Sequence, residues 1–312
     1  MPKSTKPPTF RGSDFAMRYE QGRWSEDRIL ESINASERHR AIPYGRSGVG
    51  PQNKEEIAAY WAKYIEAESE GKRPDLLVLR REDYERLLPQ KPEDPTLATD
   101  ETLRPFLEVA VCGIEAENSL WRASKMPDYG TTKLTKMNFI APTVIVKRED
   151  EENLTAWQRH FGIPICVVQV FYDRAYIVTL DQIVEGVKQI QAVEAGEGVE
   201  TLGLFPEDIK ARKRAADKLQ KELGVFITDQ AFPDARRTTP TIKTIYRTHY
   251  SRAIPFGLVP PENYPEFKAA VIEEENGKIM PYVTFRGGVL NLSPEAEQLF
   301  DRLGDDRRSN ED

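Results

Sequence analysis

The sequence predicts an α/β (α+β) protein in which helices flank a mixed central β-sheet, with a C-terminal extension. Three observations predict it. Apolar, partly β-branched runs of strand length recur at Leu76–Leu79, Thr143–Lys147, Pro164–Phe171 and Ala175–Leu180, bounded by turn residues. Stretches with apolar residues at helical spacing lie between them. The resulting order of strand, helix, strand, strand, helix, strand calls for crossovers as well as hairpins, hence a mixed sheet in layers with helices.

Each element follows from its residues. Residues 1–25 are polar and proline-containing and read as a flexible arm. Residues 26–185 read as one core that opens with two helical stretches. The second begins after Asn53, a good N-cap, and turns Ile57, Trp61 and Ile65 to one face. Asp100–Cys112 reads as a helix with Leu103, Leu107 and Val111 inward, tolerating Pro105 in its first turn and stopped by Gly113. A strand-like run, Ile114–Ser119, follows at once. Glu151–His160 reads as a helix around Leu154 and Trp157, and Asp173-Arg174 as the turn of a hairpin. Residues 186–304 form a C-terminal helical and recognition region whose charged stretch, Asp208–Leu223, reads as a solvated helix. The charged tail at 305–312 reads as disordered.

Composition sets outer limits. Of 312 residues, 30% are charged and 39% hydrophobic, which suits a soluble globular chain of one large domain or two unequal ones. Forty-four Lys and Arg against 51 Asp and Glu give a net charge of −7. Net charge does not exclude DNA, because a local basic groove can bind it on an acidic protein. Cys112 and Cys166 sit in apolar surroundings and read as reduced core residues, which places the chain in the cytoplasm. The three scattered histidines and the absence of a CxxC motif argue against zinc. No signal-peptide core and no run of membrane-spanning length is present.

The chemistry is carried by acids. Glu115 and Glu117 lie two residues apart on a strand-like run and so aim at one place. Asp75 stands at the mouth of an apolar strand and brings a third acid there. Three convergent carboxylates repel one another unless a hard cation sits among them. Mg²⁺ takes such oxygens and works on phosphates, so the pattern reads as a metal-dependent phosphodiesterase. Each fragment also has an ordinary reading: Pro74-Asp75 as the turn that starts a strand, and Glu-x-Glu as a solvated face.

Pro74-Asp75, an apolar strand, a helix and then Glu-x-Glu resemble the PD-(D/E)xK nuclease superfamily, and within it type II restriction endonucleases of the AccI-like group. Ala41–Ser47, Arg73-Pro-Asp75 and Lys147–Asp150 add to the resemblance, which extends over about residues 38–180. It implies a restriction-endonuclease-like core, Mg²⁺ held by Asp75, Glu115, Glu117 and the Ala116 carbonyl, and hydrolysis of double-stranded DNA at a short site. It also implies 5′-phosphate products and a homodimer with one active site per strand. The position that usually holds Lys, two residues after the second acid, is Glu117 here. Lys147, at the end of a β-branched strand, is the candidate for the missing cation. Its ordinary reading is a surface lysine paired with Glu149 or Asp150.

Two basic tracts are candidates for DNA contact. Arg38, Arg40 and Arg46 lie in a glycine-bearing, acid-free loop that can approach phosphates closely. Arg236, Arg237, Lys243, Tyr246, Arg247, His249 and Arg252 lie in a tract without acids, where Arg suits guanine and Thr, Tyr and Lys suit phosphates. The alternatives are an ordinary surface connection for the first and a charge-guarded sheet edge for the second. For the whole chain they are a nuclease fold without chemistry that binds DNA, a repair or recombination nuclease, or a carboxylate-pair enzyme such as a glycosidase.

Overall fold

The computed structural model describes residues 13–45, 72–134, 137, 139–197, 205, 207–232, 240–273 and 279–311. The N-terminal half comprises α1 (Ser13–Asn34), β1 (His39–Pro43), β2 (Leu76–Arg80), α2 (Arg81–Leu87), α3 (Asp100–Val109) and β3 (Ala110–Asn118). Then come β4 (Thr143–Lys147), α4 (Arg148–Phe161), β5 (Ile165–Val170), β6 (Arg174–Thr179) and α5 (Leu180–Ala195). The remainder is α6 (Ile209–Leu223), β7 (Val225–Phe232), β8 (Thr241–His249), β9 (Ile254–Leu258), β10 (Glu266–Glu273), β11 (Ile279–Arg286), β12 (Asn291–Leu292) and α7 (Pro294–Glu311).

Among the described residues, seven strands form the main sheet in the order β1-β2-β3-β5-β6-β9-β12. Its pairings are antiparallel except for β3 with β5, where Glu115 faces Val167 and Glu117 faces Gln169. One parallel step makes the sheet mixed, as expected. A second sheet, β4-β8-β7, is antiparallel throughout. Strand alternation divides the core in two. Leu77, Leu79, Val167 and Val178 pack on one face with Val144, Val146 and Tyr246 of the second sheet. Val78, Ile114, Val168 and Ile177 pack on the other face with Trp24, Ile29 and Ile33 of α1 and Leu299 and Phe300 of α7.

The four strands and the hairpin of β5 with β6 form at the residues expected, but β4, expected in the central sheet, belongs to the second one. Other expectations change. Residues 13–25 belong to helix α1 and not to a flexible arm. The stripe Trp24, Ile29 and Ile33 is buried against the sheet, and that packing holds a helix whose composition is polar. The tail likewise is helical through Glu311. It is anchored upstream by Leu299 and Phe300, and Arg307 donates to the carbonyls of Leu107 and Ala110. Helix α3 ends at Val109, so Val111, Cys112 and Gly113 lie in strand β3. Val111 is buried with the strand's period, which over so short a run is indistinguishable from the helical one. The helical stretch at 53–65 lies outside the described residues.

Candidate active site

The acids are placed by backbone register. Leu76 pairs with Ile114, so Asp75 enters β2 beside the point where β3 presents Glu115. Asp75 Oδ2 accepts from the Ala116 N–H at 2.7 Å, and the Asp75 carbonyl accepts from the N–H groups of Tyr44 and Gly45, both at 2.8 Å. Two glycines make this approach possible. A Cβ on Gly45 would lie 2.6 Å from the Asp75 Cα, and one on Gly113 would lie 2.7 Å from the Pro74 ring. Gly113, expected as a helix stop, therefore makes room for the proline that precedes the aspartate.

Arg73 anchors the segment from below. It pairs with Asp100 at 2.6 Å, donates to the Ala98 carbonyl at 2.9 Å and stacks on the Tyr44 ring. Asp100 accepts from the Tyr44 hydroxyl at 2.7 Å.

Crowding and burial oppose ionisation of the acids. The Asp75 carboxyl is pushed up to about 8, first by burial and then by Glu26 of α1; the Ala116 N–H and Lys72 act the other way. Burial and the neighbouring Asp75 raise Glu115 well above the usual carboxylate range, and burial raises Glu117. Glu115 is 5% exposed.

Two lysines meet these acids. Lys72 Nζ lies 2.6 Å from Glu115 Oε1 and 2.8 Å from Asp150 Oδ1. Lys147 Nζ lies 3.2 Å from Asp150 Oδ2 and 3.6 Å from Glu117 Oε1. Burial alone would lower both ammonium groups; the acids outweigh it and hold them above the ordinary lysine value. The same lysines keep Asp150 below its ordinary value against the effect of burial. Lys147 thus reaches Glu117 and also makes the pairing with Asp150 expected of a surface lysine, while Glu149 pairs with Lys243.

Sequence reasoning missed Lys72, the double role of Asp150 and the influence of Glu26. The one signal for Lys72 is its place three residues before Asp75. Asp150 hides among the acids that open α4, and nothing in α1 marks Glu26.

The residues fit a divalent cation. Glu115 Oε2 is buried and has no hydrogen-bond partner among the described residues. Asp75, Glu115, Glu117 and Asp150 set four carboxylates against the two ammonium groups of Lys72 and Lys147. The donors are hard oxygens. Among the described residues, no three His, Cys, Asp or Glu side chains are arranged as a ready cage, and Lys72 holds the other Glu115 oxygen. Ala116 serves Asp75 through its N–H.

The basic residues are dispersed. Arg46, Arg236 and Arg237 lie outside the described residues. Arg38 and Arg40 sit at the end of β1 that pairs near Arg80, whereas Asp75 adjoins the Pro43 end, roughly 15 Å along the strand. Arg38 pairs with Asp301, and Arg40 donates to the carbonyls of Ser36 and His39. The expected sheet edge is instead the middle strand, β8, between β4 and β7. Tyr246 and His249 are 3% and 1% exposed. They are core residues, because strands on both sides and the main sheet beneath cover them. Arg247 lies over the Phe139 ring and Arg252 donates to the Glu222 carbonyl. Lys243 pairs with Glu149 in the first turn of α4, the turn that also holds Asp150.

No helix among the described residues is long and apolar enough to cross a membrane. No curated protein and no solved structure matches the chain. The family model of the AccI restriction endonuclease matches residues 2–144, a stretch that ends three residues before Lys147. Enzymes of that family are site-specific endonucleases of DNA. Residues 2–144, which carry Asp75, Glu115 and Glu117, are similar to the AccI-like type II restriction endonucleases.

Proposed function

We propose that the chain is a type II restriction endonuclease that hydrolyses phosphodiester bonds of double-stranded DNA with Mg²⁺, leaving 5′-phosphate and 3′-hydroxyl ends. The observation that carries the reading is the buried, partnerless Oε2 of Glu115 beside Asp75 and Glu117. A buried carboxylate oxygen without a donor is costly in a protein at rest and is useful where a cation must be held.

Asp75 and Glu115 would hold the ion, with Glu117 and the Ala116 carbonyl as further oxygens. When bound, Mg²⁺ acidifies a water and neutralises charge on the scissile phosphate. The chain's own residues do the rest. Asp75 is fixed by the Ala116 N–H and by its pinned backbone, so its carboxyl does not wander. Lys147 brings an ammonium to within 3.6 Å of Glu117, where it orients the attacking water or balances charge on the phosphate. Lys243 supports the backbone of the duplex at the rim, with Arg46, Arg236 and Arg237 as further DNA contacts. A short palindromic site calls for a homodimer with one active site per strand. Residues 26–185 serve as the catalytic core and 186–304 as the region that reads DNA, with β9 and β12 of the latter completing the main sheet.

Digestion of a mixed panel of DNA with Mg²⁺ tests the reading. Discrete fragments that disappear with EDTA are expected. An intact panel under all divalent ions would leave a nuclease fold that binds DNA without cutting it.

A further inference from the structure

Asp150 holds one ammonium group on each carboxylate oxygen. Lys72 lies 2.8 Å from Oδ1 and Lys147 lies 3.2 Å from Oδ2. Each ammonium also reaches a different member of the glutamate pair, Lys72 at 2.6 Å from Glu115 and Lys147 at 3.6 Å from Glu117. The contacts therefore run Glu115, Lys72, Asp150, Lys147, Glu117 and alternate in charge throughout. Acids in the first turn of a helix commonly serve only its positive end. In α4, Glu149 and Glu151 are present for that purpose. The Asp150 side chain is 19% exposed and turned inward, against 56% for Glu149.

A divalent cation and the Lys72 ammonium compete for Glu115. Lys72 occupies Oε1, while Oε2 is buried and has no partner among the described residues. An ammonium clamped on Glu115 alone would exclude the ion, and one released to solvent would be lost to the site. We propose that Asp150 is a positioning residue that gives Lys72 a second seat, so that Glu115 turns to a divalent cation while the ammonium stays in place. The exchange of partners is short, because Lys72 is already within hydrogen-bond distance of both carboxylates. The same carboxylate keeps Lys147 on the Glu117 side, so the two cations remain apart. The task of the ion rests on the nuclease reading; the competition for Glu115 does not.

The test uses the full chain without DNA and reads Mg²⁺ binding by calorimetry in wild type, Lys72→Met, Asp150→Asn and the double variant. Lys72→Met should bind Mg²⁺ at least about threefold more tightly, because a like charge has gone. Asp150→Asn should bind about threefold or more weakly, because Lys72 then has only Glu115. In the Lys72→Met background, the Asp150→Asn effect should fall below about twofold. Asp150→Glu, which keeps the charge, should stay near wild type and guards against a merely misfolded Asn variant. An Asp150→Asn effect of equal size in both backgrounds overturns the proposal, as does weaker binding by Lys72→Met or the absence of Mg²⁺ binding by wild type. Cleavage is assayed separately with duplex DNA. A wild type that binds Mg²⁺ but cuts nothing removes the nuclease reading and leaves the second seat for Lys72 standing.

Discussion

The main sheet and the three-stranded sheet meet at the acid cluster, and they fix their charges there by different means. Asp75, Glu115 and Glu117 are set by strand register, by a main-chain N–H and by two glycines that admit no Cβ. Lys147, at the end of β4, and Asp150, at the start of α4, are set by ion pairs between partly exposed side chains. A register cannot shift by less than a residue, and a one-residue slip turns a side chain to the other face. An ion pair exchanges partners over a few ångströms. The three strand acids are thus the rigid half of the site, and the lysines with Asp150 its adjustable half.

The largest break in this comparison is Asp75→Ala. It should cut Mg²⁺-dependent cleavage by roughly 10²–10³-fold or more and leave specific DNA binding in place, as gel shifts in EDTA or Ca²⁺ will show. Full cleavage by this variant would remove Asp75 from the site. Next comes the pair on β3. Glu115→Gln should be at least as damaging as Glu117→Gln, because Glu115 is the more buried and carries the partnerless oxygen. A normal Glu115→Gln beside a dead Glu117→Gln would reverse the roles. On the adjustable side, Lys147→Ala should slow single-turnover cleavage by about 10–100-fold with little change in DNA affinity. Unchanged kinetics would return Lys147 to a structural role beside Asp150.

Acid should find the second sheet. Burial, with Arg247 and Arg252 nearby, lowers His249 on β8 to about 4 from an ordinary 6.5. A depressed folded-state value contributes stability that is complete above about 6.5 and is lost as pH falls through about 4. The melting temperature should therefore drop across that window, and less so in His249→Gln. An identical drop in the variant would assign acid sensitivity elsewhere. The smallest effects belong to single basic residues. Lys243→Ala, Arg247→Ala or Arg252→Ala should each flatten the salt dependence of DNA binding by about one unit if the residue meets a phosphate. A base contact would instead cost about 1–3 kcal/mol on the cognate site alone. If none of the three moves either quantity, recognition rests on the other arginines.

The rigid half was legible because register leaves a trace in sequence. Glu115 and Glu117 differ by two, and Asp75 directly precedes an apolar strand. The adjustable half left less of a trace. Lys72 comes from a segment with no period, and Asp150 is one of several acids opening a helix. The boundary of α3 was misplaced by three residues because Leu107 and Val111 satisfy helix spacing while Val111 is already in a strand. The flanks were misread for a related reason. Helices α1 and α7 are polar by composition, and only contact with the sheet through Trp24, Ile29, Leu299 and Phe300 reveals an inner face. In β8, neither Tyr246 nor His249 shows its burial in sequence. Strands on either side and a second layer close over the residues of a basic tract that reads as exposed.

Gly45 has a consequence for anyone who would re-engineer the enzyme. It lies in the segment Ala41-Ile-Pro-Tyr-Gly-Arg-Ser47, an inviting stretch to randomise in a search for altered sequence preference. A single methyl group at Gly45 would press on the backbone of Asp75. If Arg46 meets DNA as proposed, a library that varies Gly45 alongside it mixes two traits, target choice and cutting, in the same clones. Selections for a new target would discard good readers for being poor cutters. Holding Gly45 constant, and varying Arg46 and beyond, keeps the two traits separable.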